Sequence, residues 1–204
     1  MPRTLCQAML VALLIAGALG PASPLASGAP SKLTWKGDPQ AVAEVQAAFK
    51  RFAAARSWRS RTISGEGTTT VAFVAPDRTH TITVRGGKTE EVFVIGGQMW
   101  TKTGGSCTKL PISMKLPSPG DLLSLEPEEP TTITVTRGGV ETIQGAVMQT
   151  YLVTSVTNDL TTRSKIYVAK TGGLVRRIVN LDETPPSTTD FFDYGAPITI
   201  RPPC

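Results

Sequence analysis

The sequence is poor in the residues that most catalysis uses. It has a single histidine, His80, and three cysteines at positions 6, 107 and 204. One histidine and cysteines this far apart do not spell a Cys/His zinc site, so no metal is expected. No Gly-x-Ser-x-Gly elbow is present for His80 to serve as a base. It alternates with Ile82 and Val84 and reads as a wall or core residue of a strand. The segment "GGKTEE" ends like a phosphate loop, but position 82 is Ile where that loop needs glycine, and no helix follows. The carboxylates of "LEPEEP" and "TEE" fall in a proline-bounded loop and a hairpin, not across a cleft as glycoside chemistry requires. No cofactor motif is found, and no enzyme activity is expected.

Aromatic residues are also scarce, at 6%, and the basic residues behind the net charge of +5 are scattered. A nucleic-acid surface would cluster cations and offer rings for stacking, so that class is excluded. The excess charge describes a solvated basic surface, with contact to anionic lipid headgroups as the alternative.

Long apolar runs are missing everywhere except Met9–Leu19, which is shorter than the ~20 residues of a comfortable membrane span. With Arg3 before it and small residues after it, this stretch reads as a secretory signal peptide covering residues 1–28. The triplet Ala26-Ser27-Gly28 reads as a cleavage site, with Ala22 as the alternative. Cys6 precedes the apolar run, so no cysteine follows it for lipid attachment. The expected product, residues 29–204, is one domain, periplasmic or extracellular, and soluble once the signal is cleaved. Two cysteines then remain. In an oxidising compartment an even pair implies a disulfide between Cys107 and Cys204, the alternative being two free thiols. Such a bond closes a loop of nearly a hundred residues, worth ~4–5 kcal/mol in the chain-entropy treatment.

What is present is mostly alternation. "DPQAVAEVQAAFKRFAAARSW" is the exception, a helix capped by Asp38, with Pro39 at its first position. Val42, Val45, Phe49 and Phe52 give it one apolar face. "KLTWK" before it reads as a short strand. From residue 60 the period becomes two. "TTTVAFVAP", "RTHTITVR", "EEVFVIG" and "QMWTKTG" follow one another across Pro-Asp and Gly-Gly turns. Residues 111–130, proline-rich but carrying Met114, Leu122 and Leu123, read as a lid with a short helix over about 119–125. A second meander follows, with turns expected at Gly138-Gly139, Asn158-Asp159 and Gly172-Gly173. It closes with a loop containing "DFFDYG" and a last strand "PITIR". Val71, Phe73, Ile82, Val84, Phe93, Ile95, Ile133, Val135, Ile198 and Ile200 are expected to share one apolar face. The fold class is α+β: a curved antiparallel sheet, an unclosed half-barrel, wrapped around the N-terminal helix and the lid.

The phrases "FVAPDRTHTITV", "VFVIGGQMWTKTGGSCTKLP", "KIYVAKTGGLVRRIV" and "FFDYGAPITIRPP" carry a resemblance to the outer-membrane lipoprotein carrier superfamily. The closer resemblance is to the exported lipid-carrier lipoproteins of the mycobacterial type. It covers about residues 38–203 and is structural rather than catalytic. It implies an unclosed barrel with helices over its mouth, enclosing an apolar cavity for acyl chains. Relatives of this kind are often anchored through an N-terminal cysteine, which this chain lacks. On that basis the expected partner is a lipid or an acylated lipoprotein, with transient membrane-surface or envelope-protein contact. The expected ligand wall is Phe49, Phe52, Phe73, Ile82, Val84, Phe93, Ile95, Met114, Leu122 and Leu123. The competing reading is a non-enzymatic envelope interaction or structural module with a filled core.

Overall fold

The computed structural model describes residues 32–113, 127 and 129–204. The expected signal peptide, the lid helix and the wall residues Met114, Leu122 and Leu123 lie outside the described residues. The chain opens with β1 (Leu33–Gly37) and α1 (Pro39–Ala53). Asp38 caps the helix, its carboxylate accepting from the backbone N–H groups of Gln40 and Ala41 at 2.7 and 3.0 Å. Between these elements Gly37 sits at φ +109°, and a Cβ there would strike the carbonyl oxygen of Val135. Only glycine lets the chain leave β1 so close to its neighbour and turn into the helix.

Six strands follow as a meander: β2 (Ser57–Ser64), β3 (Gly67–Val74), β4 (Arg78–Arg85), β5 (Lys88–Ile95), β6 (Gln98–Thr103) and β7 (Ser106–Ser113). The first of these was not expected, because "SWRSRTIS" mixes charge and hydroxyls on both faces. The strand β7 also takes in residues 111–113, the start of the expected lid. The second meander is β8 (Thr131–Ile143), β9 (Ala146–Thr157), β10 (Leu160–Ala169), β11 (Val175–Asn180) and β12 (Ser187–Phe192). The paired glycines at 86–87, 96–97 and 104–105 all have positive φ, as two-residue hairpins that follow the sheet twist require.

All twelve strands form one sheet in the order β1-β8-β9-β10-β11-β12-β2-β3-β4-β5-β6-β7. Among the described residues no pairing joins β7 back to β1, so the sheet is unclosed. Its pairings are antiparallel except one: β1 lies parallel to β8. Among the described residues, one helix shares one core with residues from seven strands. Ala41, Val45 and Ala48 of α1 pack with Ile133, Val135, Tyr151, Val153, Ile166, Val168, Val175, Ile178 and Phe191, with Trp35 and Trp58 against them. One rod can touch that many strands only if the sheet curls around it.

Three further expectations are corrected. Gly138-Gly139 is not a hairpin turn but a bulge inside β8, where the register with β9 shifts between Arg137 and Val140. The turn lies at Gln144-Gly145. The bulge carbonyls are taken up by the Gln149 amide, which donates to Gly138 at 2.7 Å and Gly139 at 3.2 Å. The "DFF" stretch belongs to β12, whereas "PITIR" joins no ladder. Prolines 197, 202 and 203 supply no N–H, and the tail runs across strands rather than beside one.

The third correction concerns the faces. Register places Trp58 opposite Phe73, and Phe73 opposite Thr79. It places Ala72 opposite His80, and His80 opposite Phe93. Alternation then puts Phe73 and Val71 on the helix side, and Ile82, Val84, Phe93 and Ile95 on the other. The ten apolar positions therefore line two faces, not one. The outer set is roofed by the tail, where Ile198 and Ile200 pack on Phe93 and Trp100.

Candidate functional site

The concave side has two halves. Over β8–β12 it is filled by α1. Near the helix C-terminus an aromatic wall begins. Phe52 meets Trp58 and Phe191 with ring centroids 5.2 Å apart in both cases, and Trp58 stacks on Phe73 at 5.5 Å. Tyr194 closes the end of the wall 6.3 Å from Phe52, its hydroxyl donating to the Val175 carbonyl at 2.6 Å. Burial pushes the Tyr194 phenol well above its ordinary range, so it stays neutral and donating. The indole Nε1 of Trp58 is buried and has no hydrogen-bond partner among the described residues. A buried donor left unpaired is costly, so Trp58 Nε1 is an exception to the general satisfaction of buried polar groups.

Beyond the wall, the concave face of β2–β6 carries Ser60, Thr62, Thr69, Val71, Thr81, Thr83, Val92 and Thr101, all but Ser60 half-buried. Several hydroxyls pair with one another, Thr62 with Thr189 at 2.8 Å and Thr69 with Thr83 at 3.5 Å. Along these positions the first ionisable side chain is that of Glu90, opposite Thr83 and Thr103.

On the filled side, a polar cluster joins α1 to β8 and β9. Tyr151 donates to Glu44 at 2.5 Å, and Arg137 reaches the same carboxylate at 3.3 Å. Burial, then the Glu44 carboxylate, drives the Tyr151 phenol far above its ordinary range. On the outer face, His80 stacks on Phe93 at 3.9 Å and contacts Glu91 at 2.9 Å. Lys102 holds the other oxygen of Glu91 at 3.0 Å. The Lys102 hydrogen bond, with His80 adding to it, keeps the Glu91 carboxyl below its usual range despite partial burial. His80 is thus tied into an ion-paired ladder beside the tail. The described residues hold no group of three His, Cys, Asp or Glu arranged for a metal.

Of the residues expected to line a ligand wall, Phe49, Phe52 and Phe73 lie on the concave side. Ile82, Val84, Phe93 and Ile95 do not; they face outward, with Val84 40% exposed and Phe93 under the tail. The wall residues that sequence reading missed are Trp58, Phe191 and Tyr194. The signal for two of them is the phrase "DFFDYG", which the sequence pattern assigns to a loop. Cys107 and Cys204 are joined by a disulfide spanning a sequence separation of 97.

No family model and no curated protein matches this chain. Solved structures do. The lipoprotein LppX of Mycobacterium tuberculosis superposes with a TM-score of 0.58 at 14% identity, over 80% of this chain and 100% of that one. LprF from Mycobacterium bovis superposes at 0.60 and 15% identity, over 81% of this chain and 98% of that one. The chain has the fold of these mycobacterial lipoproteins. Identity this low speaks to fold alone, and the residues of the wall are this chain's own. No helix among the described residues is long and apolar enough to cross a membrane.

Proposed function

We propose that the protein is exported and carries a lipid or the acyl chain of a lipoprotein against the concave face of β2–β6. The observation that carries this reading is the aromatic wall of Phe52, Trp58 and Phe73, which continues along the same face into a row of half-buried threonine and valine positions on β2–β6. The shared fold with two lipoproteins supports it, as does the disulfide, which suits an oxidising compartment. Binding is by apolar burial without covalent chemistry. Eight buried methylenes contribute about 6 kcal/mol, a dissociation constant of tens of micromolar before any headgroup contact.

The test is native mass spectrometry of the protein purified from its own exported compartment, followed by organic extraction. A stoichiometric lipid mass is expected, and Phe52→Ala with Trp58→Ala should lower its occupancy about tenfold or more. Ile82→Ala, on the outer face, should leave occupancy unchanged. Bare protein that takes up no added lipid would instead favour an interaction module whose core is already filled by α1.

A further inference from the structure

The scatter of basic residues along the sequence does not survive folding. Five cations converge around the C-terminus of α1. Lys50 and Arg51 close the helix, and Arg56 follows it. The guanidinium of Arg51 lies over Gly173 in the β10–β11 turn, 2.7 Å from where a Cβ would stand. Lys170 opens that same turn, and Arg176 leaves it, its guanidinium 5.5 Å above the ring of Tyr194. Lys50, Arg51, Arg56 and Lys170 are exposed, and Arg176 is half-buried. None of the five has an ion-pair partner among the described residues. The nearby acids are committed elsewhere: Glu44 to Arg137, Asp193 to Arg59, Asp190 to Arg177 and Glu141 to Lys165. Asp77, in the β3–β4 turn, forms no ion pair among the described residues and offsets one charge at most, since Arg78 beside it donates to the Ile200 carbonyl. The helix dipole offsets about half a charge. The patch stays strongly positive.

Two exposed aliphatics adjoin it. Val140 and Val147, 53% and 46% exposed, stand near the turn of the β8–β9 hairpin. The Val147 carbonyl accepts from the backbone N–H of Lys170 at 2.9 Å, which puts the valines beside the cations. Arg176 over Tyr194, and Tyr194 beside Phe52, place the same patch at the end of the aromatic wall.

We infer that this surface docks the protein on an anionic phospholipid bilayer. Unpaired cations meet the headgroup phosphates, the valines of the β8–β9 hairpin rest in the interface, and the aromatic wall opens toward the bilayer. The inference extends the carrier reading, but vesicle binding is measured without cargo, so the two can fail separately.

The experiment is co-sedimentation of the full mature chain with vesicles of phosphatidylglycerol and phosphatidylcholine, against pure phosphatidylcholine, at low and high salt. Binding to the anionic vesicles alone, and its loss at high salt, is expected. Removing one cation should weaken it about fivefold, and Arg51→Gln, Lys170→Gln and Arg176→Gln together roughly a hundredfold. Lys36→Gln, Lys88→Gln and Arg201→Gln, which remove equal charge elsewhere, should cost far less. The double variant Arg51→Gln, Lys170→Gln spares the Arg176–Tyr194 contact and guards against a folding defect. Equal binding to both vesicle types, or equal losses in the two triple variants, overturns the inference.

Discussion

Cutting the bond between Cys107 and Cys204, by Cys107→Ser with Cys204→Ser, is expected to destabilise the protein without changing its native structure. The tail is held before it reaches the disulfide. Gly195 N–H donates to Ser57 O at 2.9 Å, Ser57 Oγ donates to Ala196 O at 2.7 Å, and Arg78 donates to Ile200 O at 3.0 Å. Ile200 is 4% exposed against Phe93 and Trp100. Only residues 201–204 depend on the bond for their position. Its effect therefore falls on the unfolded chain, where it closes a loop with a sequence separation of 97. The chain-entropy treatment gives about 4–5 kcal/mol for such a loop. A chain stabilised by roughly 5–15 kcal/mol survives the loss. With a urea slope of about 2 kcal/mol per molar, the midpoint should fall by about 2 M. Equilibrium urea unfolding of the oxidised protein and the double variant measures this, with tryptophan emission reporting on the native baseline. Coincident midpoints would refute the reasoning. So would a red-shifted native spectrum in the variant, because it would mean that the tail detaches and that the bond acts on the folded state.

Two other perturbations follow from single contacts. Gly37→Ala puts a Cβ against the Val135 carbonyl at a φ that alanine disfavours, so a loss of more than ~1 kcal/mol is expected, and an unchanged thermal melt would contradict it. The Glu91 carboxyl is depressed in the folded state by Lys102 and His80, so the stability it contributes is present above the unfolded carboxyl range and is lost as pH falls through the folded value. Glu91→Gln should accordingly be less stable than the parent at neutral pH and close the gap in acid; a gap that ignores pH would count against the ladder.

The parts of this protein legible in the sequence are those whose cause is local. Asp38 and Pro39 announce a helix start because capping needs only the first turn. Gly-Gly pairs announce hairpins because only glycine accepts two successive positive φ angles cheaply. Two cysteines left after the expected signal is removed suggest a pair. The concave face was harder to read. The positions Phe73 and Ile82 both alternate within clean strands, and each strand alone says that one of its faces is apolar. Neither says which face of the sheet that is.

That assignment comes from register, which the β3–β4 turn sets by placing Phe73 opposite Thr79 and Ala72 opposite His80. The tail then made the outer face apolar as well, by laying Ile198 and Ile200 on it, so that hydrophobicity no longer distinguishes inside from outside. The basic patch is a further case, since Arg51, Lys170 and Arg176 are far apart in the chain and become neighbours only where the helix end meets the β10–β11 turn. The parallel pairing of β1 with β8 is another, made by residues about a hundred positions apart. The sequence by itself determined the elements, their turns and the strand-by-strand alternation, because these follow from backbone sterics and residue period. The tertiary structure alone decided which faces meet and which charges are left without partners, because those depend on contacts between segments that no local pattern encodes.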